Sequence, residues 1–213
     1  MSLLTTHKLS LQRGDIKLDF PDLALAQGEH LLLLGPSGSG KTSLLSLISG
    51  LLRPSSGHIE LAGHTIETAS QTELDRLRGH NIGFIFQTLH LLPALSIRKN
   101  ILLAPEMAGL KPDTQRLDAI LHELGLHDKA DRKPSALSQG EQQRAAIARA
   151  IINQPKLIIA DEPTSALDAD NAATVAKMLI EQANKTQASL IVATHDERIT
   201  PYFNNILKLG AQS

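Results

Sequence analysis

The chain has 213 residues, is 42% hydrophobic and carries a formal net charge of −1. That is ample apolar material for a core, and the near-neutral balance gives no electrostatic footprint for nucleic acid, whose binding domains are usually basic. Cysteine is absent, which excludes disulfides and thiolate metal sites, and with aromatics at 2% the core has to be aliphatic.

The start, Met1 to Thr5, lacks the charged and long apolar regions of a signal peptide. No stretch approaches the roughly 18 apolar residues of a spanning helix, so any service to a membrane is expected to be peripheral. Leu9-Ser10-Leu11 and Ile16 to Phe20 alternate about a turn at Arg13-Gly14-Asp15, which predicts short strands. A second turn, Ala26 to Glu29, precedes a buried strand that ends at Leu34. A helix is expected from Lys41 to about Gly50, then a breaker cluster at Arg53 to Gly57. His58 to Ile66 reads as a hairpin, Thr72 to Arg78 as a helix and Ile82 to Phe86 as a strand ending at Gln87. The character then changes. Ile97 to Met107, Thr114 to Leu124 and Gln139 to Ile152 are helical in pattern, with Pro93, Pro112 and Pro134 in their connections. Leu157 to Ala160 and Ser189 to Ala193 are buried strands flanking a helix over Ala169 to Asn184. Strands alternating with helices predict a mostly parallel sheet covered on both faces. The chain thus reads as one α/β domain, residues 1–213, with a core of about 1–87 and 156–213 and a helical insertion of about 88–155.

The strongest local signal is Gly35-Pro36-Ser37-Gly38-Ser39-Gly40-Lys41-Thr42, followed by Ser43. It matches G-x-x-x-x-G-K-[ST] between an apolar strand and a helix, the context that pattern requires. The glycines let backbone N–H groups converge on phosphate oxygens at the positive end of the helix. Lys41 would reach the β- and γ-phosphates, and the Thr42 hydroxyl would hold Mg²⁺. Leu157 to Ala160 leads into Asp161 and Glu162, acids at the carboxyl end of a buried strand, where such sheets bind ligands. Asp161 would help hold Mg²⁺, and Glu162 could orient and deprotonate an attacking water. The bland alternative for the pair is a solvated acidic turn. Ser138 with Glu141 three residues on reads as a capping box, which uses the same N–H groups that bind phosphate.

These motifs together resemble the ATPase subunit of an ATP-binding-cassette (ABC) transporter over almost the whole chain. Gly35 to Thr42 matches the Walker A loop, Gln87 the Q-loop glutamine, Leu137 to Glu141 the signature, and Leu157 to Asp161 Walker B, with Glu162 as the catalytic glutamate. Ser165-Ala166-Leu167-Asp168 matches the D-loop and His195 the switch histidine. The resemblance implies a P-loop NTPase core with an antiparallel β subdomain and an inserted helical subdomain. It implies ATP and Mg²⁺ as cofactors, Gln87 contacting Mg²⁺, and a head-to-tail homodimer. There Ser138 and Gly140 bind the γ-phosphate in trans, with Asp168 nearby, and His195 contacts the same phosphate. It also implies a separate integral membrane permease as partner, placing the chain on the cytoplasmic face of the inner membrane, with no nucleic acid bound. Glu141 and the run Asp161 to Asp168 resemble the lipoprotein-releasing, macrolide-exporting and FtsE-like subgroup.

The family's adenine-stacking aromatic is missing, and aligning Leu9-Ser10 with its pattern puts Arg13 there, whose planar guanidinium could lie on the base. The apolar run Thr88 to Leu95 corresponds to the surface that receives a permease helix, or else packs as helical core. With the chain ending soon after Leu209, no appended regulatory domain is expected. An amino-acid-type importer subunit, a soluble ABC ATPase and a mechanical regulator are the competing readings. The lone cassette, the absent cysteine and the lack of a basic stripe speak against the soluble class.

Overall fold

The computed structural model describes residues 2–165 and 167–210. Its N-terminal part is strand-rich: β1 (Ser2–Arg13), β2 (Ile16–Asp19), β3 (Leu23–Ala26) and β4 (His30–Leu34). After α1 (Lys41–Ile48) come β5 (Ser56–Leu61), β6 (His64–Thr65), α2 (Gln71–Asn81) and β7 (Ile82–Ile85). Helices α3 (Ile97–Met107), α4 (Thr114–Glu123) and α5 (Gln139–Ile151) follow. The chain then returns through β8 (Leu157–Asp161), α6 (Ala169–Thr186), β9 (Ser189–Thr194) and β10 (Asn205–Lys208).

Two sheets result. One is antiparallel, ordered β2-β1-β5-β6 with β3 also on β1; the other is ordered β10-β4-β9-β8-β7 and is parallel throughout. Three features differ from the sequence expectation. β1 is a single strand of twelve residues, because it serves three partners in turn and its Leu3, Leu4, Leu9 and Leu11 are all buried. β3 was hidden ahead of the Ala26 turn. β10 has only the short apolar pair Ile206-Leu207 because it is an edge strand, largely exposed to solvent and held by its ladder to β4.

The parallel sheet explains why its strands read as unbroken apolar runs. Leu31, Leu33, Leu157, Ile159, Ile191 and Ala193 face one core with α1 and the antiparallel sheet. Leu32, Ile158, Ala160, Leu190 and Val192 face the other, built with α3, α4, α5 and α6. Each helix start has its own chemistry. Ser96, Asp113, Ser138 and Asp168 accept from the backbone N–H three residues on, capping α3, α4, α5 and α6. Among the described residues no helix is long and apolar enough to cross a membrane.

Register fixes where the sheet ends. Leu34 of β4 pairs with Thr194 of β9, and Asp161 of β8 pairs with Ala193. Three strand ends therefore finish level, at the edge where parallel sheets bind ligands.

Candidate active site

Gly35 to Gly40 leave β4 at this edge and turn into α1. The loop fits only glycine where it is tightest. A Cβ on Gly35 would stand 2.6 Å from the Leu209 carbonyl oxygen, and one on Gly40, at φ +90°, would stand 3.1 Å from the Phe20 ring. Alone among these helices, α1 starts without a side-chain cap. Its first N–H groups, which every helix leaves without an internal partner, are thus left for a ligand. Above them is a cavity of about 250 Å³ lined by Leu18, Ser37, Gly38, Gly40, Lys41, Thr42, Ser43, Gln87, Glu162 and His195.

Lys41 is almost fully buried and points back under the loop. Its Nζ donates to the Gly35 carbonyl at 2.8 Å and the Pro36 carbonyl at 3.1 Å, and lies 3.3 Å from Glu162 Oε1. Glu162 sits in the left-handed region at φ +50°, unusual for a residue with a side chain and sustained only where the surroundings fix it. Its N–H donates to the Ala193 carbonyl at 2.8 Å. Its Oε2 accepts from the Thr194 hydroxyl and faces His195 Nδ1, each at 3.0 Å. Lys41, Glu162 and His195, far apart in sequence, therefore form one connected group.

Asp161 ends β8 one residue earlier. Burial pushes its carboxyl above the usual range, and the neighbouring Glu162 charge adds to this, opposed by a hydrogen bond from Thr42 and by Lys41. Its Oδ1 is buried without a partner. An orphaned carboxylate oxygen beside a threonine hydroxyl is a donor set that suits a hard divalent cation such as Mg²⁺. Gln87, just past β7, is exposed and lines the same cavity.

The remaining expected residues lie elsewhere. Ser138 and Gly140 are exposed at the start of α5, outside the cavity lining. Ser138 and Glu141 form the capping box read from the sequence: Glu141 Oε2 accepts from the Ser138 N–H at 2.7 Å. Asp168 is exposed and caps α6, accepting from the Asn171 N–H at 2.9 Å. Ala166 of the D-loop match lies outside the described residues. Arg13 is exposed beside the β1–β2 turn, paired in register with Ile16, and does not line the cavity; the same hairpin supplies Leu18 instead.

The structure also reveals supporting residues that the motifs do not name. Gln143 of α5 is buried and donates to the Pro163 carbonyl at 2.8 Å, beside Glu162. Arg149, on the same helix, donates to the carbonyls of Leu89 and His90 at 2.7 Å each, holding the segment after Gln87. Thr194 is fully buried. Polar side chains within the apolar periodicity of α5, and a threonine closing an apolar strand before His195, are the signals that could have found them.

A family profile described as ABC transporter matches residues 18–165. The chain is 40% identical to the ATP-binding protein HrtA of Staphylococcus haemolyticus, over 88% of this chain and 86% of that protein. It is 37% identical to the lipoprotein-releasing system ATP-binding protein LolD of Legionella pneumophila (strain Paris), over 97% of this chain and 94% of LolD. Among solved structures it resembles a dimeric ATP-binding cassette in a post-hydrolysis state bound to ADP and Pi. There the TM-score is 0.83 at 30% identity, covering 97% of this chain and 94% of that one.

Proposed function

The chain belongs to the ABC transporter family and is an ATPase subunit of that kind, and we propose that it drives a separate membrane permease of the lipoprotein-releasing or FtsE-like type through ATP sites shared between two head-to-tail copies. The observation that carries the reading is the convergence of Lys41, Glu162 and His195 on one cavity at the uncapped start of α1.

In this reading the loop N–H groups and Lys41 bind the β- and γ-phosphates, Lys41 exchanging its carboxylate neighbour for phosphate oxygen. Asp161 and Thr42, with Gln87, hold Mg²⁺, which supplies neutralisation of charge on the phosphate oxygens. Glu162 orients a water in line with the γ-phosphate and takes its proton, and His195 steadies the γ-phosphate. Ser138, Gly140 and Asp168 belong to the partner's site. Their exposure, away from their own chain's cavity, supports a site completed in trans. The helical segment of about residues 88–155 acts as the subdomain that meets the permease, coupled to the core by Gln143, which reaches the Pro163 carbonyl, while Arg149 holds Leu89 and His90 within the segment.

Two measurements test this. Mg²⁺-dependent ATP hydrolysis should rise more steeply than linearly with protein concentration, and a rate per subunit that is constant on dilution counts against shared sites. Glu162→Gln should cut turnover to a slow residual rate while ATP still binds, so that an ATP-bound dimer accumulates on gel filtration. A purely monomeric profile at full ATP occupancy would refute the head-to-tail arrangement.

A further inference from the structure

Thr194 closes β9 and is fully buried. A buried hydroxyl needs partners, and this one has two that bear on the site. It donates to Glu162 Oε2 at 3.0 Å and accepts the Asp196 N–H at 3.0 Å. The Thr194 carbonyl accepts the Gly35 N–H at 3.2 Å. One residue therefore touches the acid, the first glycine of the phosphate loop and the turn that carries His195.

The other two partners of the Glu162 carboxylate are of a different kind. Lys41 faces the cavity that the phosphates enter, and His195 is 53% exposed. Both turn to phosphate when nucleotide binds, in the reading above. The Thr194 hydroxyl does not reach the cavity lining, sits on a β-branched side chain within a sheet, and is oriented by its second hydrogen bond. It is the one contact to the carboxylate that persists.

We propose that Thr194 is a positioning residue for hydrolysis: its hydroxyl occupies one oxygen of the Glu162 carboxylate and leaves the other aimed at the attacking water. This rests on Glu162 being the base.

The test compares Thr194→Val, which keeps shape and β-branching, with Thr194→Ser, which keeps the hydroxyl. Thr194→Val should lower kcat about tenfold or more, the loss expected for a hydrogen bond to a charged group, with KM changed by less than about twofold. Thr194→Ser should restore the rate to within about threefold of the native chain. Adding Thr194→Val to Glu162→Gln should leave the residual rate unchanged, because the group it positions is gone. A native kcat in Thr194→Val overturns the proposal. So does a Thr194→Ser chain as slow as the valine variant, a rise in KM matching the fall in kcat, or a further tenfold loss in the double variant. Should Glu162→Gln itself turn over ATP at the native rate, the base reading falls and this inference falls with it. If Glu162→Gln falls to its residual rate and Thr194→Val is fully active, only the inference falls.

Discussion

Glu162→Gln should bind ADP more tightly than the native chain does. Lys41 Nζ lies 3.3 Å from Glu162 Oε1, with both side chains at least nine-tenths buried. At an effective dielectric constant of about 20, two unit charges at that separation attract by about 5 kcal/mol. Desolvating both groups cancels much of this, and Nζ keeps the Gly35 and Pro36 carbonyls whichever residue stands at 162. What the nucleotide displaces is then worth one charge-assisted hydrogen bond, about 1.5–3 kcal/mol, and the lower end corresponds to about tenfold in Kd. In the proposed site ADP is the informative ligand, because it would reach Lys41 without the γ-phosphate that would join two copies. Calorimetric titration at concentrations where gel filtration finds only monomer reads the difference directly. Equal Kd values would refute the idea that the Glu162 carboxylate competes with phosphate for Lys41. A weaker Kd in the variant would mean that the carboxylate instead helps to aim the lysine.

Arg149→Met should lower the melting temperature by about 2–12 °C, since two hydrogen bonds from a guanidinium are lost while the freed carbonyls are partly reached by water, a net cost of about 1–3 kcal/mol. Burial already pulls the Arg149 pKa down, and a melt unchanged to within about 1 °C would show that the segment after Gln87 is held by other contacts. Asp161→Asn should abolish Mg²⁺-dependent hydrolysis yet raise the melting temperature of the nucleotide-free protein. Burial raises the Asp161 carboxyl above its ordinary 3.8, so its ionised form opposes folding at neutral pH, and that penalty disappears as pH falls toward 3.8. The stabilisation should shrink in parallel in acid; an equal or lower melt at neutral pH refutes it. Glu123 runs the other way. Hydrogen bonds from Lys185 and then Gln182 hold its carboxyl below its ordinary 4.5, so its contribution is complete above that value and is lost as pH falls through the lowered one. Glu123→Gln should therefore melt slightly lower at neutral pH, with the gap closing in acid, and a gap independent of pH would count against the pair.

The parts of this molecule legible in the sequence are those whose cause is local. The phosphate loop is written into consecutive residues because its backbone path needs glycine at Gly35 and Gly40, and the parallel strands read as apolar runs because both of their faces are covered. The start of α5 is announced by Ser138, a cap that acts within three residues. What was not legible depends on partners far along the chain. β10 is a strand only because β4 is beside it, and Arg13 misses the cavity because hairpin register, not residue count, decides what faces a ligand. The same holds inside the site. Lys41 and Glu162 are found by motif, but what holds Glu162 comes from β9, thirty-two positions away. The support for the Gln87 segment comes from an arginine about sixty positions on. The Glu162–Thr194 contact exists because Asp161 pairs with Ala193 and Leu34 with Thr194. A slip of one residue in either ladder would turn every side chain of a strand to the opposite face, taking the Thr194 hydroxyl from Glu162 and leaving the motifs intact but unconnected. The chemistry is specified by the motifs; the geometry that makes it work is specified by the apolar residues that set the register of β4, β8 and β9.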